Sequence, residues 1–388
     1  MRLVIAGGGT GGHLVPGLAL AQELLARGPD NAVLFIGARE GLEERLVPRH
    51  GYPLELLPSL KGGLLTLKAG VKALQACRGY LQARRAILDF HAQAIVGLGG
   101  HASALPVLAA WGVEVPCLML EQNAVPGRVT RKLSSFAQEI GVQFPQAAAW
   151  LSQPRKVKHV GNPLRPKLLE ASFPATRRNL EARPEPDEPV LLVLGGSQGA
   201  HFLNTLTVQL WPKLKKVLPE LRVLLVAGAE DGSRTADAFA AAGIKGKVAP
   251  FTEQMEELYA QADVVLARAG ATTLAELAAF ALPSILVPYP YAADDHQLAN
   301  ARVFQDAGAA WVVLQKDIEP DRLVRRIADT LLQPERRRRM AAAAAGLAKP
   351  YAAAEVLDRL ERLAGLRVFK TSPPAPPYKP DALHAGAV

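Results

Sequence analysis

Only two cysteines, Cys77 and Cys117, occur in the 388 residues. They are too few for a disulfide framework and belong to no metal-ligand cluster, so a reducing cytosolic compartment is the simpler reading. Neither CxxC nor HExxH is present. Aromatic residues make up 6% of the chain, and no stacking platform or reading helix for nucleic acid stands out. No apolar run reaches the about 20 residues that a bilayer span needs. The longest, residues 103–120, is broken by Pro106, Glu114 and Pro116. The opening Met-Arg-Leu-Val-Ile-Ala passes directly into glycines, which reads as a short buried strand rather than a signal peptide. Acids are absent from residues 56–88, a stretch that holds Lys61, Lys68, Lys72, Arg78, Arg84 and Arg85.

Against these absences stands a hydrophobic share of 49%, enough to exclude a disordered chain. The length exceeds what one core usually organises, so two domains of roughly 150–200 residues are expected. The net charge of +9 points to an anionic partner, nucleic acid or membrane, and says nothing of fold. Its distribution is uneven: 18 Lys and Arg face 10 Asp and Glu through Arg165, and 27 face 26 thereafter. The excess is N-terminal.

Short apolar runs recur at 3–6, 33–36, 94–98, 117–120, 190–194, 223–227, 264–267 and 284–287, with helix-like stretches such as 17–27 and 202–217 between several of them. Strands buried on both faces and alternating with helices indicate parallel sheets in an α/β protein. The pattern starts twice. Residues 3–6 open into Gly7-Gly8-Gly9-Thr10-Gly11-Gly12-His13, and 190–194 open into Gly195-Gly196-Ser197-Gln198-Gly199-Ala200. Residues 173–189, rich in Pro, Arg and Glu, read as an exposed connector. Two doubly wound domains follow, with ligand sites at the C-terminal strand edges facing a common cleft. Residues 352–363 are amphipathic and predict a terminal helix. The proline-rich residues after 366 read as a disordered tail.

Gly7, Gly9 and Gly12 fit G-x-G-x-x-G, but the acid expected at the end of the second strand is missing, since 33–36 lead into Gly37-Ala38-Arg39. That argues against a nicotinamide dinucleotide. Glycine loops also admit a diphosphate or a sugar to backbone N–H groups. His13, at the mouth of the loop, has an imidazole suited to take a proton from an attacking hydroxyl, and an ordinary structural histidine is the alternative. Thr273-Leu274-Ala275-Glu276 fits a capping box, and equally places a carboxylate where two ribose hydroxyls could bind. Glu121-Gln122-Asn123 and Asp294-Asp295-His296-Gln297 are further polar clusters at strand exits.

In order along the chain, residues 8–13, Gly99-Gly100-His101, Glu121-Gln122-Asn123, Gly161-Asn162-Pro163-Leu164-Arg165, residues 195–200, Arg268-Ala269-Gly270-Ala271-Thr272-Thr273-Leu274-Ala275-Glu276 and residues 294–297 closely resemble the MurG family. These are the bacterial peptidoglycan N-acetylglucosaminyltransferases, which convert lipid I to lipid II. The resemblance covers about residues 1–365.

It implies a GT-B fold of two Rossmann-like domains around a cleft. The expected divisions are 1–162 for the acceptor domain, 163–349 for the UDP-N-acetylglucosamine domain, 350–366 for a helix packing back on the first domain, and 367–388 for the tail. Thr10, Gly11, Gly12, Asn123, Arg165 and Ser197 are then expected near the donor's sugar and diphosphate, with the backbone of Thr252 on the uracil. Ala271, Thr272, Thr273, Leu274, Ala275 and Glu276 would line the nucleotide, with Glu276 on the ribose and Gln297 on the sugar hydroxyls. His101 stands where the family often has Tyr, and His296 where Gln is usual.

The implied chemistry is one inverting displacement: the C4 hydroxyl of the acceptor's N-acetylmuramic acid attacks the donor's anomeric carbon, with His13 as base. No metal and no cofactor is implied. Another glycolipid transferase or a UDP-N-acetylglucosamine 2-epimerase is the nearest enzymatic alternative, and a non-catalytic UDP-sugar-binding protein the alternative from another class. Leu64, Leu67, Lys68, Val71 and Lys72 belong to the acid-free stretch, whose composition suits an anionic leaflet. A peripheral place on the cytoplasmic face of the cell membrane is therefore expected.

Overall fold

In a computed structural model of the chain, the described residues are 1–9, 11–59, 69–181, 188–196 and 199–366. They form two compact units, one of Met1–Pro166 together with the segment from Pro350, the other of Lys167–Lys349.

The first unit runs β1 (Arg2–Ala6), α1 (Gly11–Ala26), β2 (Ala32–Ala38), α2 (Glu43–Arg49), β3 (Leu54–Leu57), α3 (Ala69–Asp89), β4 (Ala94–Gly97), α4 (Ala104–Gly112), β5 (Cys117–Glu121), α5 (Arg128–Leu133), β6 (Glu139–Val142) and β7 (Val157–His159). The second runs from α6 (Pro166–Leu180) through β8 (Val190–Leu194), α7 (His201–Val217), β9 (Arg222–Val226), α8 (Gly232–Ala242), β10 (Gly246–Ala249), α9 (Met255–Gln261), β11 (Val264–Ala267), α10 (Ala271–Ala279), β12 (Ser284–Leu286), α11 (His296–Asp306), β13 (Ala310–Val312), α12 (Pro320–Leu332) and α13 (Pro334–Gly346). A last helix, α14 (Ala352–Leu363), belongs to the first unit.

Both sheets are parallel throughout, ordered β3-β2-β1-β4-β5-β6-β7 and β10-β9-β8-β11-β12-β13. The eight apolar runs read from the sequence are strands. They are continuous because each face of a covered parallel sheet needs its own hydrophobic set. Along β1, Leu3 and Ile5 join a core with α1 and α14, while Val4 and Ala6 join the opposite core with α3 and α4. Cys117 lies in that second core, where burial pushes its thiol up to about 12. Cys77 is exposed and unpaired.

Residues 166–180 differ from expectation. Much of the supposed connector is helix α6, which buries Ser172, Ala175, Thr176 and Asn179. Thr176 Oγ1 donates to the Ala279 carbonyl at 2.6 Å and Asn179 Nδ2 to that of Phe280 at 2.9 Å. Pro174, one of the prolines in that stretch, is accommodated within the helix. Residues 182–187 of the expected connector and the tail 367–388 lie outside the described residues.

The terminal helix is held on α1 by charge as well as by Val356, Leu357 and Leu360. Arg27, its side chain 8% exposed, meets Asp358 at 2.8 Å and Glu361 at 3.1 Å and donates to the Ala354 carbonyl at 3.0 Å. Removing one partner of a buried charge group strands the others, at a cost of about 3–5 kcal/mol. Asp358 is partly solvated, so Arg27→Ala is expected to lose about 2–3 kcal/mol, read as a lowered midpoint in urea denaturation.

Candidate functional site

Where strand order reverses in a doubly wound sheet, the loops on either side splay apart and leave a crevice at the C-terminal edge. In the first sheet the reversal falls between β1 and β4. The loop after β1 leads into Gly11, Gly12 and His13 in the first turn of α1, and the loop after β4 carries His101 on a short 3₁₀ turn. Each histidine lies against the other loop's glycines. A Cβ on Gly99 or Gly100 would come within 3.4–3.5 Å of the His13 ring, and one on Gly9 within 3.4 Å of the His101 ring. His13 is half-buried. The Nε2 of His101 is shielded from solvent and has no hydrogen-bond partner among the described residues.

The sequence reading overlooked Glu43. This side chain is fully buried, and its oxygens accept the Gly9 N–H at 2.6 Å and the Ala38 N–H at 3.0 Å. The acid that the dinucleotide pattern lacks at the end of β2 is thus present a few residues on, but it serves its own backbone. No local sequence signal marks it, because its partners come from two separate loops.

After β5, Glu121 organises the next strand exit. Its carboxylate accepts the N–H groups of Asn123 and Gly127, both at 3.0 Å, and the Asn123 side-chain amide at 3.3 Å. Burial pushes the Glu121 carboxyl upward, against these hydrogen bonds. Asn123 is therefore oriented from beneath. Arg165 is half-buried just before α6.

In the second sheet the reversal lies between β8 and β11. The glycine loop after β8 folds tightly: a Cβ on Gly199 would sit 2.2 Å from the Ala227 carbonyl oxygen. Beside it, on α7, Asn204 donates to Asp231 at 2.9 Å and to the Ala227 carbonyl at 3.0 Å, while His201 pairs with Asp231 at 2.8 Å. Arg234 also pairs with Asp231. Burial opposes ionisation of Asp231, but the bonds from Asn204 and His201 and the charges of His201 and Arg234 prevail, so its carboxyl is held below the usual range.

Helix α10 starts at Ala271, with Gly270 before it and no side-chain cap. The capping-box reading of Thr273 and Glu276 is accordingly overturned: both lie inside the helix. The Glu276 carboxylate instead accepts the Tyr259 hydroxyl at 2.7 Å, and Tyr259 is itself wedged against Phe280 at 5.2 Å. Of residues 271–276, the Leu274 side chain is wholly buried, while Thr272, Thr273 and Ala275 are half-buried. Thr252 spends its hydroxyl on the Gln254 N–H at 3.0 Å, ahead of α9. Gln297, on the first turn of α11, accepts the Tyr289 N–H at 3.0 Å, and His296 bonds the Ala293 carbonyl at 2.8 Å.

Arg268 braces the loop after β12 through the carbonyls of Val287 at 3.1 Å and Pro288 at 3.2 Å and the Gln315 side chain at 2.7 Å. Thr10, Leu64, Leu67, Lys68 and Ser197 lie outside the described residues, as do the side chains of Val71 and Lys72. Among the described residues, no group of three or more His, Cys, Asp and Glu could hold a metal ion.

Comparison with known proteins accounts for both units. The glycosyltransferase family 28 N-terminal domain matches residues 3–142 and the family's C-terminal domain matches 190–356. The chain is 42% identical over 362 residues to the UDP-N-acetylglucosamine--N-acetylmuramyl-(pentapeptide) pyrophosphoryl-undecaprenol N-acetylglucosamine transferase of Anaeromyxobacter dehalogenans, covering 92% of each. It is 38% identical to the enzyme of the same name from Geobacter sulfurreducens, covering 93% of this chain and 98% of the other. A crystal structure of MurG from Acinetobacter baumannii superposes with a TM-score of 0.72 at 27% identity, covering 93% of this chain and 99% of that one. A UDP-N-acetylglucosamine 2-epimerase fold from Listeria monocytogenes gives 0.65 at 13% identity, covering 93% and 95%, a likeness of fold alone. The fold class is GT-B.

Replacing Tyr259 by Phe removes one hydrogen bond from a buried carboxylate. The expected loss is about 1–3 kcal/mol of stability, measurable as a shift of the urea midpoint at unchanged slope.

Proposed function

This chain belongs to glycosyltransferase family 28, among the peptidoglycan N-acetylglucosaminyltransferases, and from that membership we propose that it moves N-acetylglucosamine from UDP-N-acetylglucosamine to lipid I, giving lipid II. The observation that carries this is similarity at 38–42% identity along 92–93% of the chain, while the 2-epimerase fold shares 13%.

In this reading the second unit binds the donor. Backbone N–H groups at the start of α7 and α10 face the nucleotide, with Ser197 stabilising the departing diphosphate, where negative charge grows during the reaction. Glu276, its direction fixed by Tyr259, takes the ribose hydroxyls. The Thr252 backbone reads the uracil, which fits a side chain already committed to Gln254. Gln297 meets the sugar.

His13 is the base for the acceptor hydroxyl. It sits at the strand-order reversal, and a glycine pair opposite leaves room for its ring. The C4 oxygen forms the new bond to the anomeric carbon as its proton passes to the imidazole and the bond to UDP breaks. This inverts the anomeric centre.

The acceptor is lipid-linked, and α3 offers a surface for peripheral attachment. Leu74, Leu81 and Leu88 are 55%, 55% and 42% exposed at seven-residue spacing, while Ala83 and Ile87 face the core. Arg78, Arg84 and Arg85 are exposed among them, and Trp111 on neighbouring α4 is 58% exposed. An apolar stripe flanked by cations suits an anionic leaflet on the cytoplasmic side. No described helix is long and apolar enough to cross a membrane.

Two measurements test these assignments. Labelled UDP-N-acetylglucosamine should release UDP only with a lipid I analogue, and His13→Ala should cut turnover by about 10²-fold or more. UDP release without acceptor would favour epimerase-type chemistry, and near-normal turnover of the variant would remove His13 as base. Co-sedimentation with vesicles should rise with anionic lipid, fall for Leu81→Glu, and fall for Arg85→Glu by roughly fivefold or more, at about 1 kcal/mol for the cation removed. Binding indifferent to lipid charge would refute the membrane surface.

A further inference from the structure

Glu43 presents a problem that the transfer reaction, as set out above, does not solve. A carboxylate buried without a cation is costly unless its lone pairs are filled. Among the described residues no cation pairs with Glu43; backbone N–H groups fill the role, from Gly9 at 2.6 Å and Ala38 at 3.0 Å. Three chain segments have given up side chains to make the pocket. A Cβ on Gly8 would lie 2.2 Å from the carboxylate, one on Gly37 2.4 Å from its Cγ, and one on Gly41 2.3 Å from its Cδ. Gly9 adopts φ +84°, a left-handed conformation that turns its N–H inward.

This arrangement has two chemical consequences. A glycine loop before a helix ordinarily offers its N–H groups to phosphate. Here the Gly9 N–H is already bound to an anion, and a phosphate brought to it would meet a carboxylate. That N–H is thus not offered to a ligand; it ties Gly9 to the buried carboxylate. The second consequence is mechanical. The Gly8 carbonyl oxygen lies 3.4 Å from the Cβ position of Gly100, which in turn is 3.5 Å from Nδ1 of His13, while the His101 ring covers Gly9. Moving Gly8 and Gly9 moves the surface on which the His13 imidazole rests.

We propose that Glu43 is a positioning residue for the transfer: it locks Gly8 and Gly9 of the first glycine loop in the conformation beside which Gly100 and the His13 imidazole are seated. The proposal rests on the transferase reading with His13 as base.

The test uses the full chain in the lipid I-dependent UDP-release assay. Glu43→Gln keeps the shape but gives one N–H a donor in place of an acceptor. Gly41→Ala keeps the carboxylate and displaces it with a methyl group. Both are expected to lower kcat by roughly 10- to 100-fold, the scale of a misplacement of about 1 Å, with the KM for UDP-N-acetylglucosamine within about twofold of wild type. Because the effect passes through His13, Glu43→Gln is expected to cost less than about threefold further in a His13→Ala background. A kcat within about threefold of wild type, a rise in donor KM that accounts for the loss, or an equal loss in both backgrounds would overturn the role. If Glu43→Gln fails to fold, Gly41→Ala decides by the same criteria. A wild-type chain with no acceptor-dependent turnover would overturn the transferase reading itself, and this role with it.

Discussion

Parallel strands cannot be joined by tight turns: each must be followed by a crossover that returns the chain to the start of the next, and the crossover is right-handed. In a sheet built outward from the middle, consecutive crossovers must therefore change faces once. Between β1 and β4, and again between β8 and β11, two loops leave the same sheet edge in opposite directions. His13 and His101 border the first gap, and the glycine loop after β8 and the start of α10 border the second. The same constraint explains why the strands beside each gap are the most apolar, since both of their faces are covered, and why glycines crowd the exits, where loop, helix start and neighbouring loop compete for the same volume.

A second regularity concerns the acids. Glu43, Glu121 and Glu276 are all buried at or near strand exits, and each is bonded to neutral donors: two backbone N–H groups for Glu43, two more with an amide for Glu121, a phenol for Glu276. Bonds from neutral N–H groups to an ionised oxygen are about twice as strong as neutral pairs. An unmet buried acceptor costs about 1–3 kcal/mol. A carboxylate so placed fixes loop geometry more firmly than apolar packing, because it prescribes direction as well as distance. Buried acids here act as braces for the segments that follow the strands.

What could be read from the residues beforehand follows the same physics. The eight inner strands, the four beside the gaps and their next neighbours β2, β5, β9 and β12, announced themselves as unbroken apolar runs. The strands missed, β3, β6, β7, β10 and β13, lie toward the outside of their sheets, and all are five residues or shorter. Glu55, Glu139, Lys158 and Lys247 interrupt four of them. The motif loops were legible because glycine loops and polar strand exits are local in sequence. Tyr259, seventeen residues before the carboxylate it supports, and Glu43, thirty-four residues from Gly9, were not, since only folding brings such partners together. Proline misled at α6, where composition outweighed the apolar periodicity of the helix.

The return of α14 to the first unit sets an order of events during synthesis. Val356, Leu357 and Leu360 complete a core begun by Leu3 and Ile5, so the N-terminal unit cannot close until the ribosome has made the last helix. The second unit spans Lys167–Lys349 without interruption and emerges whole before then. At about 5–20 residues per second, its synthesis occupies roughly 10–40 s, during which one face of the first sheet has α1 but lacks the rest of its cover. The half of the chain translated first is thus the half finished last, and its unfinished surface is the one a chaperone would meet.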